Sequence, residues 1–351
     1  LHLDSKLTSN FSADKAKIRR NEFLLNFSRL LSDAEKNGVK IVIIAGDLFD
    51  EQKITKYAKE EVISTINNHK DVEIIYLVGN HEKTAFLDGI DSIPSNLTAV
   101  TSLTWEKFVR DDVVISLANL TKNNAGIIYS TLNLNKEDKN IVVMHGATVN
   151  YRMKEDKEFV NIPELKDKYI DYLALGHYHS FIKENLDSRG IYAYSGCLEG
   201  RGFDELGDKG YVLIDTDDIK NIKFIPFAKR TAHEVVVEVD GLKSWSEIKT
   251  KVYTALKGIS NDDIIKVVLT GKIDKSTLIF AEELQNSLGI TYFFAKVYDE
   301  TVLFLTEEEL NTGVGIKNEF LALVNKDGAL TEQDKTKIIQ YGLKALKGED
   351  F

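Results

Sequence analysis

The sequence predicts an α/β layered architecture, and three observations carry the prediction. Early in the chain, strands of the buried type alternate with amphipathic helices. Farther on, up to about residue 230, the chain becomes rich in strands. The polar residues able to do chemistry fall just past the ends of those strands, where α/β sheets bind their ligands.

The elements follow in order. Residues 12–37 read as a helix, with Ile18, Phe23, Phe27, Leu30, Leu31 and Ala34 near one stripe and Gly38 as its stop. KIVIIAG is continuous and β-branched, the pattern of a strand buried on both faces. TKYAKEEVISTINNH reads as a second helix and VEIIYLVG as a second strand. Further strands are expected at VVISLAN, GIIYSTL, NIVVMHG, YLALGH, GIYAYSG, YVLIDT and FIPFA. Beyond residue 230 the composition shifts. HEVVVEV, WSEIKTKVYTAL, DIIKVVLTGKI, STLIFAEELQNSLG and TYFFAKVYDE make a βαβαβ unit of a smaller second domain. Two amphipathic helices near 306–325 and 331–347 close the chain, split by the turn residues NKDGA.

Composition bounds the rest. At 351 residues the chain fits about two domains. Hydrophobic residues make up 43%, enough for real cores. No apolar run approaches the roughly 18 residues of a membrane span. Cys197 is the single cysteine, so no internal disulfide can form, and a reducing cytoplasm is expected. A net charge of −10 argues against wholesale coating of nucleic acid, but leaves room for local basic patches and for acidic sites masked by metal.

Four strand ends carry the chemistry. KIVIIAGDLFD delivers Asp47 and Asp50, IIYLVGNHEK delivers Asn80 and His81, NIVVMHGA delivers His145, and YLALGHYHS delivers His177 and His179. His2 opens the chain in LHLDSKL. His2, His81, His145, His177 and His179 are five of the seven histidines; His69 and His233 read as surface residues. Imidazole, carboxylate and amide groups at four strand ends point to a shared metal site. Mixed nitrogen and oxygen ligands without cysteine suit Mn²⁺, Fe²⁺, Zn²⁺ or Co²⁺. The ligands outnumber one tetrahedral shell, so two bridged ions are expected, and hydrolysis of a phosphate ester is the chemistry such a pair serves.

GDLFD, GNHE, MHG and GHYH, in this order and spacing, resemble the calcineurin-like metallophosphoesterases. LHLDSKL is similar to the end of DLHLDS, found in SbcD-like DNA repair exonucleases and their bacterial YhaO-like branch. The resemblance implies a sandwich of two mixed sheets flanked by helices over residues 1–230, a small α/β cap over 231–300 and a helical pair over 301–351. The family's first motif is Asp-x-His after strand one, so that strand and its metal-binding Asp are expected ahead of Leu1.

Carried over by motif, His2, Asp47 and His179 would hold one ion. Asp47 would bridge to a second ion held by Asn80, His145 and His177. His81 would stay off the metals, stabilise the transition state and protonate the leaving oxygen, while Asp50 orients a ligand. Mn²⁺ is the expected metal. The implied function is a DNA exonuclease or endonuclease in repair, with DNA as substrate, an SbcC-like coiled-coil ATPase as partner on the C-terminal helices, and a homodimer as a common assembly. The alternatives are a phosphomonoesterase or nucleotide phosphodiesterase using the same metals, and a non-catalytic repair assembly subunit.

Two departures stand out. Archaeal and eukaryotic relatives have histidine where Asp50 stands. In YSGCLEGRGFDELGDKGY, Ser195, Cys197 and Gly200-Arg201 replace residues usual in SbcD-like enzymes. Arg201 reads equally as a phosphate contact or a surface arginine, KAKIRR as a solvated helix face, and Cys197 as a small buried residue.

Overall fold

The computed structural model describes residues 1–7, 11–49, 54–78, 86–87, 89–90, 92–150, 159–274, 277–303, 316–331, 334–335, 338–339 and 341–342. The chain divides into two compact units, Leu1–Thr231 and Ala232–Phe351. In chain order the first holds α1 (Ala13–Lys36), β1 (Ile41–Ala45), α2 (Lys56–Asn68), β2 (Glu73–Leu77), β3 (Leu97–Val100), β4 (Glu106–Arg110), β5 (Val113–Leu117) and α3 (Ile128–Thr131). It continues with β6 (Lys139–His145), β7 (Ala147–Val149), β8 (Phe159–Asn161), α4 (Ile162–Leu165), β9 (Tyr172–Gly176), β10 (Ile182–Asn185), β11 (Ile191–Tyr194), β12 (Gly210–Leu213) and β13 (Lys223–Pro226).

Two sheets form the frame of this unit. One has the order β1-β2-β3 and is parallel throughout. The other has the order β10-β11-β9-β6-β5-β4, with parallel strands at its centre and antiparallel strands at both edges. The side-chain period of two sorts each central strand between two cores. Ile141 and Val143 of β6 join Ile75, Leu77, Val100, Ile115 and Tyr172 in the core between the sheets. Val142 and Met144 face the opposite way, against Leu120, Ile128, Leu165, Leu173 and Tyr194. Burial on both faces explains why these strands read as unbroken apolar runs.

α1 is more mixed than its apolar stripe implies. Phe23, Phe27, Leu30, Leu31 and Ala34 are buried as expected, but Ile18 is 46% exposed and Arg19 is fully buried. The Arg19 guanidinium donates to Glu22 at 2.6 Å, to Glu199 at 2.8 Å and to the Gly200 carbonyl at 2.9 Å. Arg230 completes the group, donating to Glu22 at 2.6 Å. KAKIRR is therefore not a wholly solvated face. Arg19 ties α1 to the 199–200 segment, a pairing across the chain that no helical periodicity can show.

GIIYSTL, expected as a strand, contains the helical turn α3, started by Asn124 accepting from the Ile128 N–H at 2.8 Å. A short apolar run does not distinguish a strand from a buried helical turn. His69, read as a surface residue, is 9% exposed, with Nδ1 on the Thr65 carbonyl at 2.7 Å and Nε2 on Ser32 at 3.0 Å. His233 is half-buried and pairs with Asp263 at 3.0 Å.

The second unit contains β14 (Ala232–Glu238), α5 (Trp245–Ala255), β15 (Ile264–Thr270), β16 (Lys272–Ile273), α6 (Ala281–Thr291), β17 (Phe294–Asp299), β18 (Val302–Leu303) and α7 (Ile316–Lys326). Its main sheet, β14-β15-β17, is parallel. Val237, Val267 and Leu269 pack with Ile248 and Val252 of α5 and with Leu284 and Leu288 of α6. Leu321 and Val324 of α7 share a small core with Ile339. Among the described residues no helix is long and apolar enough to cross a membrane.

Candidate functional site

The pleat delivers His145 to its place. Ile141 and Val143 point into the core between the sheets, so His145 shares their face and meets the end of β1. Its Nδ1 lies 2.9 Å from the Ala45 carbonyl. A carbonyl only accepts, so Nδ1 carries a proton, and whenever the ring is neutral its lone pair is on Nε2. That Nε2 stands 3.3 Å from Oδ2 of Asp47.

Two glycines permit this approach. A Cβ on Gly176, at the end of β9, would lie 1.7 Å from the Ala45 carbonyl oxygen. A Cβ on Gly46 would lie 2.2 Å from Nδ1 of His145, and Gly46 also has φ +83°. The next residue, Asp47, has φ +49°, His2 has φ +55° and His177 has φ +120°. Positive φ outside glycine costs on the order of 1–3 kcal/mol each and gathers at functional sites.

The start of the chain is laid against this turn. The Leu1 nitrogen and the His2 N–H both donate to the Asp47 carbonyl, at 2.7 and 2.9 Å, and the Leu3 N–H donates to Leu48 at 2.8 Å. His2 Nε2 then lies 3.9 Å from the same Asp47 oxygen, Oδ2. The rings of His2 and His179 are 4.5 Å apart, and those of His145 and His177 are 5.8 Å apart. One member of each imidazole pair, His2 and His145, thus faces the same carboxylate oxygen. His2, Asp47, His177 and His179 stand in the wall of a cavity of about 230 Å³, beside β1 and the end of β9.

Five of the residues expected at the site, His2, Asp47, His145, His177 and His179, are therefore brought together. Asn80, His81 and Asp50 lie outside the described residues. Among the described residues no group of three or more His, Cys, Asp and Glu side chains forms a finished metal cluster. The donor chemistry fits a cation nonetheless. The Nε2 lone pair of a neutral His145 and a carboxylate oxygen repel each other, and a divalent cation held by these residues would relieve that repulsion.

Sequence reasoning missed Glu205. Its Oε1 accepts from Nδ1 of His179 at 2.6 Å and from Nε of Arg201 at 2.7 Å, and its Oε2 accepts from the Arg201 N–H at 2.9 Å. Burial alone would raise this carboxyl, but the His179 and Arg201 hydrogen bonds outweigh it and hold the group far below the usual carboxylate range. Arg201, left open between phosphate contact and surface residue, is engaged with this carboxylate. No local pattern marks which acid in RGFDELGD turns inward. Cys197 is 3% exposed, and burial followed by the neighbouring Glu205 charge pushes its thiol up to about 12, so it stays protonated. Tyr194, in β11, donates to the Gly146 carbonyl at 2.8 Å and supports the turn after His145. Tyr178 packs on Tyr194 at 4.8 Å and on His177 at 5.3 Å.

Residues 19–181 match the family model of the calcineurin-like phosphoesterases. The chain carries a calcineurin-like phosphoesterase domain. Its one parallel and one mixed sheet, flanked by helices, have the fold of that family, whose members are metal-dependent phosphoesterases using divalent ions. The chain is 24% identical over 295 residues to the DNA double-strand break repair protein Mre11 of Saccharolobus solfataricus, covering 78% of this chain and 76% of that one. It is 23% identical over 344 residues to the Sulfolobus acidocaldarius protein of the same name, covering 92% and 88%. It is 24% identical over 305 residues to the Methanosarcina acetivorans protein, covering 84% of this chain and 49% of the relative.

Proposed function

We propose that the phosphoesterase domain is a two-metal phosphodiesterase acting on DNA ends in repair. The observation that carries the metal assignment is the single carboxylate of Asp47, whose Oδ2 faces Nε2 of both His2 and His145. His2, Asp47 and His179 hold one ion; Asp47, Asn80, His145 and His177 hold the other. The ring pairing of His2 with His179 and of His145 with His177 supports that division. Bound divalent ions would supply Lewis-acid charge at a phosphoryl oxygen and a more acidic water.

The chain's own residues do the rest. His145 keeps its proton on Nδ1 through Ala45 and leaves Nε2 as a donor of electrons. His81 gives a proton to the leaving oxygen, a task suited to an imidazole because its pKa lies near operating pH. Mn²⁺ is the proposed ion, the set being oxygen and nitrogen donors without thiolate.

Likeness to proteins named for double-strand break repair supports DNA as the substrate. Residues 1–230 form the catalytic domain, 231–300 a cap that selects substrate, and 301–351 a helical region that docks an SbcC-like coiled-coil ATPase. On the helical region Leu323 is 67% and Tyr341 54% exposed, apolar surface that a partner helix could cover. A homodimer is the proposed assembly. The test is cleavage of labelled linear DNA against nucleotides and a chromogenic phosphomonoester, with Mn²⁺ present. DNA cleavage supports the reading; turnover of monoesters alone replaces it with a phosphomonoesterase. Deleting residues 306–351 should weaken association with such an ATPase and leave hydrolysis of small phosphodiesters intact.

A further inference from the structure

We propose that Glu205 is a positioning residue that fixes the tautomer of His179 and so presents its Nε2 to a metal ion. The proposal rests on the metal reading of the site, and its core is geometric. A carboxylate has no proton to give, so the 2.6 Å contact between Glu205 Oε1 and His179 Nδ1 requires the proton on Nδ1. In the neutral ring that binds a metal, the lone pair is then on Nε2, the far nitrogen of a ring that stands 4.5 Å from His2.

Glu205 is itself fixed. It is 8% exposed, its backbone N–H donates to the Gly202 carbonyl at 3.1 Å, and the Arg201 backbone and guanidinium occupy its remaining acceptor positions. The Cys197 thiol lies 3.6 Å from Oε2. His179 is held from the other side by its carbonyl, which accepts from the Cys197 N–H at 3.3 Å.

Arg201 makes the arrangement testable. Its Nη2 lies 3.2 Å from Nδ1 of His179. Guanidinium nitrogens only donate, so Arg201 cannot bond to a protonated Nδ1; in the native protein it holds the carboxylate. With Glu205 gone, Arg201 becomes the polar group facing Nδ1. It would donate there, the ring proton would move to Nε2, and the metal-facing lone pair would be lost. A carboxylate behind a liganding histidine commonly carries about 10–100-fold of metal affinity.

The experiment uses the full chain with ¹⁵N-labelled histidine, the His179 ring signals being assigned by comparison with His179→Gln. In the metal-free wild type, His179 should be the Nδ1–H tautomer. In Glu205→Ala it should switch to Nε2–H, and in the Glu205→Ala/Arg201→Ala double variant it should be a mixture. Calorimetric titration with MnCl₂ should show at least tenfold weaker binding at one site in Glu205→Ala and a smaller loss in Glu205→Gln, whose amide oxygen can still accept. An unchanged tautomer, with Mn²⁺ affinity within twofold of wild type, overturns the proposal. Should the alanine variant not fold, Glu205→Gln decides alone: wild-type affinity and tautomer overturn the proposal, and a partial loss of affinity supports it. A wild-type chain that takes up no Mn²⁺ overturns the metal reading, and the tautomer switch then still decides what Glu205 does to His179.

Discussion

Nε2 of His145 stands 3.3 Å from Oδ2 of Asp47, and the backbone beside Asp47 holds the other nitrogen of the same ring through the Ala45 carbonyl at 2.9 Å. The end of β1 therefore sets both the tautomer of the imidazole and the place of the carboxylate. One short turn off one strand supplies an acceptor, a carboxylate facing two imidazoles, and two positive-φ residues, Gly46 and Asp47.

On the proposed two-ion reading, Asp47→Ala should remove activity and both ions together. The carboxylate faces His2 and His145 at once, so its loss reaches both halves of the site. Elemental analysis of the purified variant checks this. Retention of two tightly held ions would show that Asp47 does not bridge.

His81→Ala should keep the wild-type metal content and lower kcat by about 10²–10⁴-fold, the usual contribution of a positioned general acid. Metal content and kcat measured on the same preparation separate the roles. Loss of metal in this variant makes His81 a ligand and overturns its assignment as the proton donor.

Gly176→Ala should destabilise the first unit by about 3 kcal/mol, the upper range for an inserted methyl in a filled site. The added Cβ would sit 1.7 Å from the Ala45 carbonyl oxygen and 2.8 Å from Nδ1 of His145, so backbone has to move. Urea denaturation would read the loss as a lower midpoint with unchanged slope. Activity should fall as well, because the same shift displaces His145.

Glu22 should give the protein part of its acid sensitivity. Burial alone would raise its carboxyl, but hydrogen bonds from Arg230 and Arg19 outweigh that and place it below its ordinary 4.5. A carboxyl lowered in the folded state stabilises it fully above the unfolded value, and the contribution disappears as pH falls through the folded value. Thermal melts from pH 7 downward should therefore drop below about pH 4.5, in part through Glu22. Glu22→Gln should flatten that part of the curve. At pH 7 it should cost about 3 kcal/mol, because two buried guanidinium groups lose their shared partner. An acid limb as steep as that of wild type would assign the sensitivity to other carboxyls.

The sequence alone determined the α/β class, the continuous strands of the two-sheet frame, and the strand-end positions of Asp47, His145, His177 and His179. These features are local: an unbroken β-branched run means burial on both faces, and a glycine followed by a polar residue marks where a strand stops. What it could not fix were the contacts between distant segments. Arg19 looked like one more charge on an amphipathic helix, yet it is buried against Glu199 at 2.8 Å. Arg201 reads equally as a phosphate contact or a surface arginine, while Glu205, four residues on, turns inward to His179 and holds it. GIIYSTL had a strand's composition and formed a helical turn under Asn124. Periodicity records which face of an element is buried, but not which partner meets a buried charge. That choice is made only when the sheets pack and the carboxyl end of β1 comes to rest against the ends of β6 and β9.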